Sequence, residues 1–174
     1  MLRRCLRFCL HFSLALLMLA GAAHAGEQRR NWFDDPFMQV AAGLPACPVP
    51  LGPLYTEAER RSQMHSRLER GTSCWLAGRC ADSNAYRYDK AIAPELRRAL
   101  ARVPGLQRGS VWVTVQRRWV YLQGCVPTRA LAQRLERAAR AVKDVETVVP
   151  DLMVGTRGRA PYPVNDEEES NRQK

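Results

Sequence analysis

The chain has 174 residues, with 27 lysines and arginines against 17 acidic residues, a formal net charge of +10 and 46% hydrophobic residues. That length allows one domain with elaborations and excludes two large hydrophobic cores. A basic balance inside a cell would point to nucleic acid. An exported chain instead meets anionic lipid head groups, lipopolysaccharide and acidic polymers first, and no nucleic-acid partner is expected.

Export is what the first residues predict. Arg3, Arg4 and Arg7 precede an apolar run from Leu10 to Ala20, and Ala23-His24-Ala25 fits a cleavage site before Gly26. Residues 1–25 therefore read as a secretory signal peptide, too short in its apolar part to span a bilayer, and soluble export is expected. Without Arg3, Arg4 and Arg7, 24 basic residues face 17 acids, a net charge of +7. Cys5 and Cys9 leave with the leader. Cys47, Cys74, Cys80 and Cys125 remain as an even set in an oxidising compartment, which predicts two disulfides. There is no C-x-x-C pair, and His65 is the only histidine beyond the leader, so neither a metal site nor a cofactor is expected.

Residues 26–55 carry Trp32, Phe33 and Phe37, then Pro45, Pro48, Pro50 and Pro53. This composition suits an extended segment wrapped over a surface, with the aromatic residues as packing anchors. Thr56 to Arg70 reads as a helix. Thr56 and Glu59 form a capping box, Glu57 and Glu59 sit at the positive end of the dipole, and Gly71 is placed to stop it. Its apolar face is thin, with Ala58, Met64 and Leu68, and His65 reads as an ordinary side chain on it. Four cysteines allow three pairings, and in each of them Cys125 is joined to a cysteine upstream. A turn at Gly78 would let Cys74 meet Cys80, leaving Cys47 for Cys125. Residues 26–83 are thus an N-terminal extension stapled to the domain downstream.

From residue 84 onward the pattern is regular. Ile92, Leu96, Ala99, Leu100 and Val103 make one helical stripe that ends at Pro104-Gly105. Val111, Val113 and Val115, then Val120 and Leu122, alternate with Trp112, Thr114, Gln116, Trp119 and Tyr121. That period-two alternation predicts two strands joined at Arg117 and Arg118, aliphatic on one face and aromatic or polar on the other. Parity puts Cys125 on the aromatic face, so the staple reaches that face, which is expected to be covered or partly covered by the extension. Thr128 caps a second helix with Leu131, Leu135, Ala138, Ala139 and Val142 inward. A last strand is expected over Val145 to Val154, at an edge because Pro150 lacks a donor. Residues 156–174, with the acidic run 166–169, read as a disordered tail. The expected fold class is α+β: a two-layer α-β-β-α-β domain over 84–155, with two helices on one face of a three-stranded sheet.

The stretch Asp89-Lys90-Ala91-Ile92 with Leu96 and Leu100, the Val-x-Leu-x-Gly-x-Val run from Val120 to Val126, and Val145-Glu146-Thr147-Val148 resemble a BON domain. Two positions depart from the family pattern. Asp144 stands where a glycine usually precedes the valine, and Arg117-Arg118 replaces a glycine or small polar turn. The resemblance implies a non-enzymatic bacterial envelope protein associated with phospholipid binding, envelope integrity, osmotic stress and assembly of outer-membrane components. No nucleophile motif or phosphate-binding glycine loop in the chain points to catalysis. Basic residues beside aromatics suit a head-group boundary, so Arg117, Arg118, Trp119 and Tyr121 are the candidate contacts for an anionic phospholipid or envelope surface. The alternative is a structural or assembly module that binds another envelope protein.

Overall fold

The computed structural model describes residues 28–164, so the expected leader at 1–25 and the acidic run at 166–169 lie outside the described residues. In chain order the elements are β1 (Phe37–Ala42), α1 (Glu57–Leu76), α2 (Asp89–Ala101), β2 (Ser110–Gln116), β3 (Trp119–Val126), α3 (Arg129–Arg140) and β4 (Thr147–Val154).

The hairpin organises the rest. β2 and β3 pair antiparallel with Val113 opposite Leu122 and Val115 opposite Val120, while Trp112 meets Gln123 and Thr114 meets Tyr121. Period-two geometry then puts every aliphatic member on one face. Ile92, Leu96 and Leu100 from α2 and Leu131, Leu135 and Ala139 from α3 bury against that face, and the cluster closes around Val111, Val120 and Val148. Each large aliphatic side chain taken fully out of water here contributes about 1.5–3 kcal/mol. α3 serves as the crossover that lets β4 join β3 in parallel, Tyr121 opposite Val149. β4 lies at a sheet edge, where the missing donor of Pro150 does least harm.

The sheet has four strands rather than the expected three, in the order β1-β2-β3-β4. Phe37–Ala42, taken from sequence as part of an extended wrap, pairs antiparallel with β2, with a bulge between Gln39 and Ala41. Left unpaired, the outer edge of β2 would expose a row of backbone donors and acceptors, and the extension supplies the strand that satisfies them. The proline-rich run after β1 crosses the second sheet face. There Cys47 bonds Cys125 across 78 residues, and a small second core of Cys47, Trp112 and Cys125 gathers Phe37, Leu44 and Met153. Trp112 is thus a floor for the extension.

The helix expected over 56–70 runs on to Leu76. Its capping box forms as expected, with Thr56 Oγ1 accepting from the Glu59 amide and the Glu59 carboxylate accepting from the Thr56 amide. Gly71 does not end the helix, because it is the point of close approach to Asn84 and Tyr86, where an added Cβ would lie 3.3 Å from the Asn84 oxygen. Termination falls at Gly78, left-handed at φ 67°. The Arg79 amide donates to the Cys74 carbonyl and the Gly78 amide to the Trp75 carbonyl, a Schellman ending. The same turn brings Cys74 to Cys80.

Residues 156–164, expected as the start of a disordered tail, return to the extension instead. Tyr162 is buried and its hydroxyl donates to the Pro48 carbonyl, while Leu51 N–H donates to the Pro163 carbonyl. Composition alone favoured disorder there; a single buried tyrosine and a backbone bridge at Pro50 and Val164 overrule it.

Candidate functional site: the helical face and the hairpin end

α2 and α3 present their outer sides to solvent together, because both bury their stripes on the same sheet face. Between α2 and the residues after α3 lies a trough of about 580 Å³. Small residues make it: Ala91, Ala99 and Ala141, with Val142 and Ile92, cannot fill the space between the backbones. Arg98, Arg102 and Lys143 rim it, with Glu95 and Asp144. Arg98 pairs with Glu95, whereas Arg102 and Lys143 make no ion pair among the described residues. Arg97, Arg129 and Arg137 are exposed on the same two helices. The arrangement joins an apolar floor to a cationic rim.

The candidate contacts at the hairpin end divide. The guanidinium of Arg117 lies over the Trp119 ring, 3.7 Å from its centroid, and both side chains are part-exposed. Tyr121 is half-buried on the second sheet face, and burial raises its phenol above the usual value. Arg118 is withdrawn from the surface, with 9% of it exposed. Its Nε donates to the Asp144 carbonyl at 2.8 Å, its Nη1 reaches the Arg79 carbonyl at 3.4 Å, and it lies over the Tyr88 ring. Arg118 therefore joins the turn after α3 to the loop after α1, and is not available to an external ligand.

Asp89 opens the first stretch that resembles a BON domain, but nothing in the sequence marks its role, which is to hold this end together. Arg117 and Arg118 both have positive φ, 49° and 69°, as a two-residue primed turn requires. The Asp89 carboxylate accepts from both of their amides at 2.7 Å. Asp144, at φ 67°, occupies the left-handed position as well. The two departures from glycine thus sit side by side, tied to each other through Arg118.

Burial pushes the Asp89 carboxyl up to about 6, against the pull of the two amide hydrogen bonds. Between its unfolded value and about 6 the native state holds a proton that the unfolded chain releases, so stability falls as pH rises through that window, by about 2–3 kcal/mol. Asp89→Asn removes the titration. The stability gap between the two proteins is then expected to narrow from about pH 4 to about pH 7 in urea titrations; a constant gap would contradict the burial argument.

A family model, BON domain, matches residues 88–156. The chain carries a single BON domain. The match begins where α2 begins and takes in the hairpin, α3 and β4, so β1, α1 and three of the four disulfide-bonded cysteines lie outside the BON domain. No curated protein and no solved structure matches the chain. Among the described residues, no cluster of three or more metal-ligating side chains occurs, and no helix is long and apolar enough to cross a membrane. The two disulfides among the described residues point to an oxidising compartment.

Proposed function

We propose that this is a non-enzymatic periplasmic protein that docks on anionic phospholipid surfaces of the envelope through its BON domain and supports envelope integrity. The observation that carries this is the helical face: an alanine-floored trough edged by Arg98, Arg102 and Lys143, on a surface where exposed arginines outnumber acids. A phospholipid head group offers phosphate to such a rim and glycerol to such a floor. Arg117 with Trp119 and Tyr121 forms a second contact at the hairpin end.

The protein is expected to sediment with phosphatidylglycerol vesicles at low salt and not with phosphatidylcholine vesicles. Reversing Arg98, Arg102 and Lys143 to glutamate should weaken binding by more than about a hundredfold, since losing three attractions of about 1 kcal/mol each already accounts for that much and the new carboxylates repel the surface. Equal binding to both lipids, or none at low salt, would reject the proposal.

A specific observation supports the second function, docking to another envelope protein. On α1, Met64, Leu68, Trp75 and Leu76 are exposed, Leu68 by 74%. Exposed apolar groups gathered on one helix mark interaction surfaces. A partner whose crosslinking is lost in Leu68→Glu with Trp75→Glu, but kept when the trough arginines are reversed, would favour assembly over lipid.

A further inference from the structure

On the second sheet face, the cover provided by the extension is incomplete. One end is closed by Cys47, Trp112 and Cys125. At the other end the floor consists of Thr114 and Gln116 from β2 and Tyr121 and Gln123 from β3, beneath a cavity of about 310 Å³. Its walls are Leu51 to Tyr55 and Pro163, with Arg29 and Glu59 at one side. This is the lower end of the size range for small-ligand pockets.

The floor is polar and opens onto the cavity. Gln123 is 9% exposed and Thr114 5%, and among the described residues neither side chain makes a hydrogen bond. Gln116 uses its amide nitrogen on Asp35 at 2.7 Å and on the Tyr55 hydroxyl at 3.0 Å, which leaves its oxygen open. Polar groups withdrawn from bulk water keep hydrogen-bond partners. Here those partners are whatever occupies the cavity, water or a ligand.

The charges around the cavity are already matched. Arg29 makes a two-pronged pair with Glu59 at 2.8 and 3.1 Å, and Asp35 makes one with Arg67 at 2.8 and 2.7 Å. A phosphate or carboxylate would find no free cation, and an amine no free anion. What the floor offers is the Gln123 carboxamide, both donor and acceptor, the free Gln116 oxygen as an acceptor, and two hydroxyls, spaced by the strand separation and by alternate residues along each strand. Above them stand Tyr55, Leu51, Leu54 and Pro53. Sugars combine these two requirements: hydroxyls that donate and accept around the rim, and carbon-bound hydrogens on the ring face that pack on aromatic and apolar groups.

We infer that the cavity between β2, β3 and the 51–55 segment is a binding site for a neutral carbohydrate ring, with Gln123 and Thr114 as its hydrogen-bonding floor. It lies on the sheet face opposite the basic trough; Tyr121 is shared with the hairpin-end contact, so Gln123 and Thr114, which lipid docking does not use, are the positions that separate the two. The test is a nuclear magnetic resonance titration of the full mature chain with two neutral disaccharides, maltose and diacetylchitobiose, and with inorganic phosphate for comparison. Saturable shifts of the Gln123 side-chain amide with at least one disaccharide and none with phosphate are expected. Gln123→Leu, of similar size, should lose about tenfold in affinity while vesicle binding and thermal midpoint are retained. The inference is overturned if neither sugar shifts that amide, if phosphate shifts it as strongly, or if a correctly folded Gln123→Leu protein binds sugar unchanged. Should Gln123→Leu fold poorly, Thr114→Val provides the same comparison.

Discussion

Replacing Cys47 and Cys125 together by serine is expected to lower the stability of the folded chain by about 4 kcal/mol and its Tm by roughly 10–15 °C. The bond closes a loop of 78 residues, and its removal returns that conformational freedom to the unfolded state. The same chain-entropy relation assigns about 2 kcal/mol to the bond between Cys74 and Cys80, which spans only six residues. Calorimetry on the two double serine variants separates them. The long-range bond also pins the extension over Trp112, so its loss should raise hydrogen exchange across β1 before it does so in β3. Equal losses from the two bonds would show that the extension is held by packing alone.

Gly124→Ala is expected to cost at least about 3 kcal/mol, or to leave the chain unable to accumulate as folded protein. Gly124 sits in β3 at φ +126°, outside the regions open to L-residues, and an added Cβ would lie 2.1 Å from the Ser110 carbonyl oxygen of the paired strand. Ser110 cannot retreat, because its hydroxyl donates to the Leu44 carbonyl and accepts from the Leu44 amide, both at 2.9 Å. Gly155→Ala is the control. Gly155 has φ +77° with nothing within 4 Å of the added carbon, so only backbone strain is felt, about 1 kcal/mol. Comparable urea midpoints for the two variants would refute the steric explanation of the Val-x-Leu-x-Gly-x-Val motif.

The BON domain was legible because its elements advertise themselves locally. Val113, Val115, Val120 and Leu122 alternate strictly, and Ile92, Leu96 and Leu100 recur at helical spacing, so burial direction follows from period alone. β1 was not legible: Phe37–Ala42 is short and followed by prolines, and what makes it a strand is the unpaired edge of β2, some seventy residues away. Gly71 misled for a similar reason. It resembles a stop signal, but Tyr86 packs against it and the helix passes through.

The candidate sites divide along the same line. Arg117 and Trp119 could be picked out as neighbours in sequence, and they do stack. Arg118 has the same composition signal and the opposite fate, because the carbonyls of Asp144 and Arg79 reach it only in the folded chain. Asp89 could not be identified beforehand, since its partners are amides 28 and 29 residues ahead. The trough and the cavity above Gln123 are spaces between elements, and no segment of sequence contains a space.

By itself, the sequence determined the helices and strands of the BON domain and the face each one buries, because these depend on periodicity within a few residues. Only the tertiary structure decided that the extension contributes a fourth strand, that Arg118 turns inward, and that Gln123 and Thr114 are left facing a cavity. Those outcomes depend on which backbone and side-chain groups remain unsatisfied once distant segments have packed, a quantity that does not exist until they have.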